Sequence, residues 1–265
     1  MLLQNKVAIV YGGSGAIGGA AASAFAREGA DVFLVGRTAE TLSRTTGTIR
    51  AAGGKAEFDV VDVLDQAAVE QHAQSVVDRA GRIDVVLTAV GFSHVQGPPL
   101  SALTLEQFER PISAYTRANF ITAKTATRHM ERSGGGVILT VSTPGSRLSG
   151  SGFLGYGTTC GVIETFSRIL AGEVGSHGIR VICLRPDAIP EALPVSHARA
   201  VFQGFADRFD TTVEEMLDGR AKTGTLLGRF PKLDEVADYA AFVASDRAGA
   251  MTGAIANLTC GSLVD

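Results

Sequence analysis

Short apolar runs rich in β-branched residues recur along this chain, and each is followed by a longer stretch with helical spacing. That alternation is the pattern of strand–helix–strand units wound about a parallel sheet. It predicts strands at residues 6–11, 31–35, 56–60, 85–89, 136–141, 179–184 and 254–258. Runs such as Val7-Ala8-Ile9-Val10 and Val85-Val86-Leu87 are apolar at every position, which suits strands covered by helices on both faces. The expected fold class is α/β: a doubly wound, Rossmann-like domain of about seven parallel strands with helices on both faces. With 265 residues, 45% of them hydrophobic, the chain can bury such a core undivided. Residues 1–265 are therefore expected to form a single dinucleotide-binding domain.

The alternation weakens between residues 186 and 229, where Pro190, Pro194 and several charged side chains form a polar stretch. It follows the sixth strand, at the sheet edge where open parallel sheets bind ligands. A substrate-covering lid is one reading of it; a plain interface or an unstructured segment is the other. The formal net charge is -3 with no basic run, so nucleic acid is not an expected partner. Met1 to Lys6 lead straight into a strand and no apolar run is long enough for a bilayer, so neither signal peptide nor membrane is expected, and the location read from this is cytoplasmic. Three cysteines, Cys160, Cys183 and Cys260, have no metal-like spacing. They read as reduced thiols, with no metal site.

Between the first strand and an Ala-rich helix starting near Ile17 lies Val10-Tyr11-Gly12-Gly13-Ser14-Gly15-Ala16-Ile17-Gly18-Gly19. Glycines there let the backbone approach a pyrophosphate, and the helix N-terminus supplies free amides and a positive dipole end. Gly13, Gly15 and Gly18 match the general G-x-G-x-x-G pattern, a weak signal alone and a stronger one between strand and helix. Gly12, Ser14 and Ile17 are candidates beside them. The second strand ends at Val35-Gly36-Arg37-Thr38, where an NAD site usually carries an acid for the ribose diol. Arg37 instead offers a guanidinium able to pair with a 2′-phosphate, and Thr38 a hydroxyl. NADP(H) is the expected cofactor; a solvated surface arginine is the plain alternative for Arg37.

With these motifs in place, the chain resembles the short-chain dehydrogenase/reductase family over nearly its whole length. Gly12 and Gly18 match that family's Thr-Gly-x-x-x-Gly-x-Gly turn, with Tyr11 and Ala16 replacing its Thr and middle Gly. The resemblance implies adenine contacts for Asp62 and Val63, although Asp62 also reads as a helix cap. Of the family's Asn-Asn-Ala-Gly after the fourth strand, only Gly91 remains in Thr88-Ala89-Val90-Gly91. The long helix around residues 108–130 puts Tyr115 at the position of the catalytic Asn. Thr143, with Ser142 beside it, falls at the substrate-orienting Ser, and Tyr156 at the acid/base tyrosine. The family's Tyr-x-x-x-Lys reads Tyr156-Gly157-Thr158-Thr159-Cys160, and its Pro-Gly reads Pro186-Asp187. Pro186 is still implied at the nicotinamide. The family also implies self-association, as a homodimer or homotetramer, through the helices holding residues 114–130 and 160–174.

The resemblance implies a lysine that fixes the nicotinamide ribose and lowers the tyrosine pKa. Cys160 supplies no cation. An unassisted phenol with pKa near 10 is ionised in about one molecule per thousand at pH 7, which handicaps alcohol oxidation and leaves proton donation to a forming alkoxide intact. Carbonyl reduction by NADPH on a small-molecule substrate is the expected activity. A non-redox dehydration, isomerisation or cyclisation, or a silent NADP(H)-binding regulator, are the alternatives. His94 and Lys124 are candidate replacement cations, each with an ordinary solvated reading beside it; Cys160 reads as a packed thiol or an activated one.

Overall fold

The computed structural model describes residues 1–264. Seven strands form one parallel sheet: β1 (Val7–Tyr11), β2 (Asp31–Gly36), β3 (Lys55–Val60), β4 (Val85–Thr88), β5 (Gly136–Val141), β6 (Ile179–Pro186) and β7 (Ala254–Leu258). The order is β3-β2-β1-β4-β5-β6-β7, so the winding reverses between β1 and β4. That reversal opens a crevice at the carboxyl ends of the strands, where doubly wound folds bind ligands.

Helices cover both faces, as the uniformly apolar strands require. On one face α1 (Ala16–Arg27), α2 (Ala39–Ala51) and α8 (Leu233–Ala244) bury Phe25, Leu42 and Ala240 against Val10, Leu34 and Leu184. On the other, α3 (Gln66–Ala80), α4 (Leu105–Ser133) and α5 (Leu154–Val174) bury Val76, Ile121 and Met130 against Ile9, Val86 and Val181. The long α4 starts on a capping box, with Thr104 accepting from the Gln107 amide at 3.2 Å and Gln107 accepting from the Thr104 amide at 3.0 Å, two otherwise orphaned donors. The helix expected to hold residues 160–174 begins earlier, at Leu154. Gly155 and Gly157 hide this start by lowering helix propensity. They are there for packing: a Cβ on Gly155 would lie 3.3 Å from the Phe108 carbonyl oxygen, and one on Gly157 2.8 Å from that of Gly145.

The segment 186–229 is ordered and helical. A 3-10 stretch at Pro190–Val195 leads into α6 (Ala198–Arg208) and α7 (Val213–Gly224), which share a small core of Leu193, Ala206, Val213, Leu217 and Phe230. Val201, Phe202, Phe205 and Phe209, then Val213, Met216, Leu217 and Ala221, carry a helical spacing, which the prolines and charged residues around them obscure.

Candidate functional site

A cavity of about 1070 Å³ runs along the carboxyl ends of the strands and reaches from α2 to α6. At one end, β1 feeds the glycine turn into α1. Gly12 takes φ 84°, and a Cβ there would sit 2.5 Å from the Ala89 carbonyl oxygen, so glycine is required both for the turn and for the approach of β4. A Cβ on Gly18 would lie 2.2 Å from the Gly12 carbonyl oxygen. Gly15 is the N-cap of α1; no side chain caps that end and the first turn carries no acid. The free amides and the positive dipole end thus face the cavity, the donor set a pyrophosphate needs.

Gly12, Ser14, Gly15 and Ile17 line the cavity, whereas Gly13 and Gly18 shape the turn behind it. Gly13 packs on β2, where its Cβ would meet that of Leu34 at 2.8 Å. Arg37 and Thr38 line the cavity from the end of β2 and are exposed. Arg44, in the second turn of α2, joins them, so two guanidinium-bearing side chains flank this end. Asp62 and Val63 follow β3 and also line it. The cap of α3 is Asp65, which accepts from the Ala68 amide at 3.1 Å, while Asp62 bonds the Leu64 amide at 3.0 Å. These residues fit the adenosine half of a dinucleotide. Gly91 and Pro186 extend the lining to the middle of the sheet.

At the other end, Thr143 after β5 and Tyr156 in the first turn of α5 line the same cavity. Burial raises the Tyr156 pKa well above that of a free phenol; Cys160 and Tyr115 push it further up, and a hydrogen bond with Thr143 only partly opposes them. Tyr115, from α4, also lines the cavity. Its hydroxyl accepts from the Phe92 amide at 3.0 Å, and burial pushes its pKa to about 12. The two phenol rings meet edge-on, with centroids 6.1 Å apart. Cys160 lies behind this layer and outside the lining. Its Sγ is 3.2 Å from Thr143 Oγ1, and burial raises the thiol pKa to about 11, so it stays protonated. Burial with no cation beside it suits a packed thiol.

His94 stacks on Tyr156, with ring centroids 4.0 Å apart and planes within 9°. Its Nδ1 faces the Phe92 carbonyl at 2.8 Å and its Nε2 faces Gln96 Nε2 at 3.0 Å. The carbonyl requires an N–H on Nδ1 and the amide requires a lone pair on Nε2, so the ring is neutral. Burial holds its pKa down near 4. Lys124 is exposed on α4, its ammonium 5.6 Å from the Phe120 ring and away from the cavity. Neither replaces the missing ammonium.

Ser142 does not reach the cavity. Its hydroxyl is buried and donates to Glu164 Oε1 at 3.0 Å, so Thr143 alone presents a hydroxyl from this pair. Ser146 donates to the same oxygen at 2.6 Å, and Arg185 Nη1 lies 3.7 Å away. Glu164, one helical turn beyond Cys160, thereby ties down both sides of the turn that carries Thr143. In sequence it looks like an ordinary helix acid; its burial comes from Arg185, whose alternation along β6 points it to the same face as Cys183. On the cap side, Asp187 receives the Arg220 guanidinium from α7 at 2.6 and 2.8 Å and the Ser262 hydroxyl. The residue in place of the expected glycine thus fastens the helical segment to the end of β6. His197 closes over Gly91, where a Cβ would meet its Cε1 at 2.3 Å.

A family model described as Enoyl-(Acyl carrier protein) reductase matches residues 13–262. The chain belongs to the short-chain dehydrogenase/reductase family. It is 30% identical to the short-chain reductase protein NovJ of Streptomyces niveus over 94% of this chain and 91% of that protein. A short-chain type dehydrogenase/reductase from Mycobacterium ulcerans superposes with TM-score 0.87 at 25% identity, over 99% of this chain and 91% of that one. NAD+-bound xylitol dehydrogenase shares the fold, with TM-score 0.90 at 22% identity over 98% and 100% of the two chains. The family consists of oxidoreductases that use nicotinamide cofactors on small molecules. Among the described residues no helix is long and apolar enough to cross a membrane, and no cluster of His, Cys, Asp and Glu could hold a metal ion.

Proposed function

We propose that this short-chain dehydrogenase/reductase is an NADP(H)-dependent carbonyl reductase in which Tyr156 is the proton donor. The observation that carries this reading is that Tyr156 and Thr143 share one cavity with the glycine turn, Arg37 and Thr38. Arg37 and Arg44 favour a phosphorylated ribose, because a guanidinium pairs well with a phosphate and the acid that would accept a ribose diol is absent from the end of β2. When bound, the reduced cofactor supplies the hydride. Thr143 and Tyr156 hold the carbonyl oxygen, and Tyr156 passes its proton to the alkoxide as the C–H bond forms. A raised phenol pKa keeps that proton in place over the whole neutral range. The resulting tyrosinate accepts hydrogen bonds from Thr143 and Tyr115, neutral donors that act here without the family's ammonium. The Asp187–Arg220 pair holds α6 and α7 over the reacting end as its cover. Exposed Phe120 on α4 and Ile169 on α5 support pairing of two copies through those helices.

A second reading, a nucleotide-binding regulator without turnover, is favoured by one observation: the lining around Tyr156 contains no lysine. Calorimetric titration with NADPH and NADH, followed by turnover on a ketone panel, separates the two. Tight NADPH binding with turnover that Tyr156→Phe abolishes supports the reductase. NADPH binding without turnover leaves the regulator, and binding of neither nucleotide overturns both.

A further inference from the structure

The charged side chains lining the cavity are unevenly placed. Arg37, Arg44 and Asp62 stand at the nucleotide end, and Arg220 and Asp187 are bonded to each other. Around Tyr156 and Thr143 the walls are Leu148, Phe153, Val195, Val201 and Phe202. The polar groups among them are Gln96, the Tyr115 phenol, the Ser196 hydroxyl, which donates to the Ala192 carbonyl, and two imidazoles. His94 is neutral, with both ring nitrogens engaged by Phe92 and Gln96, and partial burial lowers the His197 pKa as well.

A carboxylate or phosphate placed here loses its hydration and meets no free cation, which is costly. Apolar carbon placed here gains by leaving water, and a rigid ring system gains it with fewer bonds to freeze than an open chain. We infer that the substrate is an uncharged ketone on an apolar cyclic body, its oxygen at Tyr156 and Thr143 and its ring against Leu148, Phe153 and Phe202. This rests on the reductase reading, whose failure is distinguishable by measuring binding as well as turnover.

The test compares 2-decalone with acetoacetate and dihydroxyacetone phosphate as substrates of the NADPH-loaded protein. The expected kcat/KM is at least ~100-fold higher for 2-decalone, as unpaired charge is rejected far more strongly than a change of apolar shape. Comparable or higher values for either anion overturn the inference. Leu148→Arg, in a half-buried loop position, should lower the 2-decalone value about tenfold and raise that for acetoacetate; no change in that ratio counts against these walls. If no ketone is reduced, calorimetry still decides. Binding of 2-decalone but not acetoacetate supports the assigned substrate class and removes the reductase reading; failure of 2-decalone to bind removes the assigned class.

Discussion

The two ends of the cavity hang from the same parallel sheet and are built on different principles. The nucleotide end relies on backbone: a glycine turn that tolerates no Cβ at Gly12 or Gly18, an uncapped helix terminus, and the surface cations Arg37 and Arg44. The reacting end relies on side chains that are all neutral: Tyr156, Tyr115, Thr143, Cys160 and His94. Anchoring by amides and a dipole is indifferent to which residue lies four positions after Tyr156, so a lysine can become a cysteine there with the dinucleotide fold intact. The proton chemistry, in contrast, is set by those neighbours, and burial without a cation keeps the phenol protonated.

The sharpest way to break this contrast is Tyr156→Phe. It should cut carbonyl reduction by about a thousandfold, within the usual range for loss of a positioned acid, and leave the NADPH dissociation constant within about twofold; a variant that loses binding as well would show the ends to be one unit. Glu164→Gln comes next, because it leaves the buried Arg185 facing an uncharged amide. Denaturant unfolding should show about 3 kcal/mol less stability, and the turn bearing Thr143 should loosen, lowering kcat more than it raises KM. Arg37→Ala probes the other end. Loss of a charged hydrogen-bond partner should cost about 2 kcal/mol with NADPH, some thirtyfold in affinity, and almost nothing with NADH. Equal losses would remove the 2′-phosphate assignment.

The effect spread most gradually is acid sensitivity through His94. Its folded pKa, near 4, lies below the ordinary value of about 6.5, so the unfolded chain binds the proton more readily. The folded protein should therefore lose stability as pH falls from about 6.5 to about 4, by at most about 3–4 kcal/mol, with no further loss from this group below that. His94→Gln should flatten that part of the pH–stability curve; an unchanged curve would mean that the imidazole is not held neutral.

Much of this arrangement was legible in the sequence, for reasons that differ between regions. The strands are short, continuously apolar and separated by helical patterns, so all seven were placed within one or two residues, β6 running slightly further to Pro186. The glycine turn was legible because its constraints are local. Arg44 was missed although residues 37, 41 and 44 carry a helical spacing that would bring it to the same side. Ser142 and Thr143 could not be told apart as neighbours until Glu164 was seen to take the Ser142 hydroxyl. Glu164, Arg185 and Gln96 were not legible at all, since the roles of two buried charges and a buried amide depend on partners far away in sequence. The helices of 186–229 were legible too, from Val201, Phe202, Phe205 and Phe209 and from Val213, Met216, Leu217 and Ala221, but the prolines and charges of the segment masked that spacing.

The central claim is that no cation lowers the Tyr156 pKa. It is tested most directly by rate against pH in both directions, reducing a ketone with NADPH and oxidising the matching alcohol with NADP+. The account predicts reduction that is level from pH 6 to about 9 and oxidation that is negligible there, rising only above the ordinary phenol pKa of about 10. Oxidation that reaches its plateau with an apparent pKa near 7 would contradict it, because some positive group would then be doing what the absent lysine does.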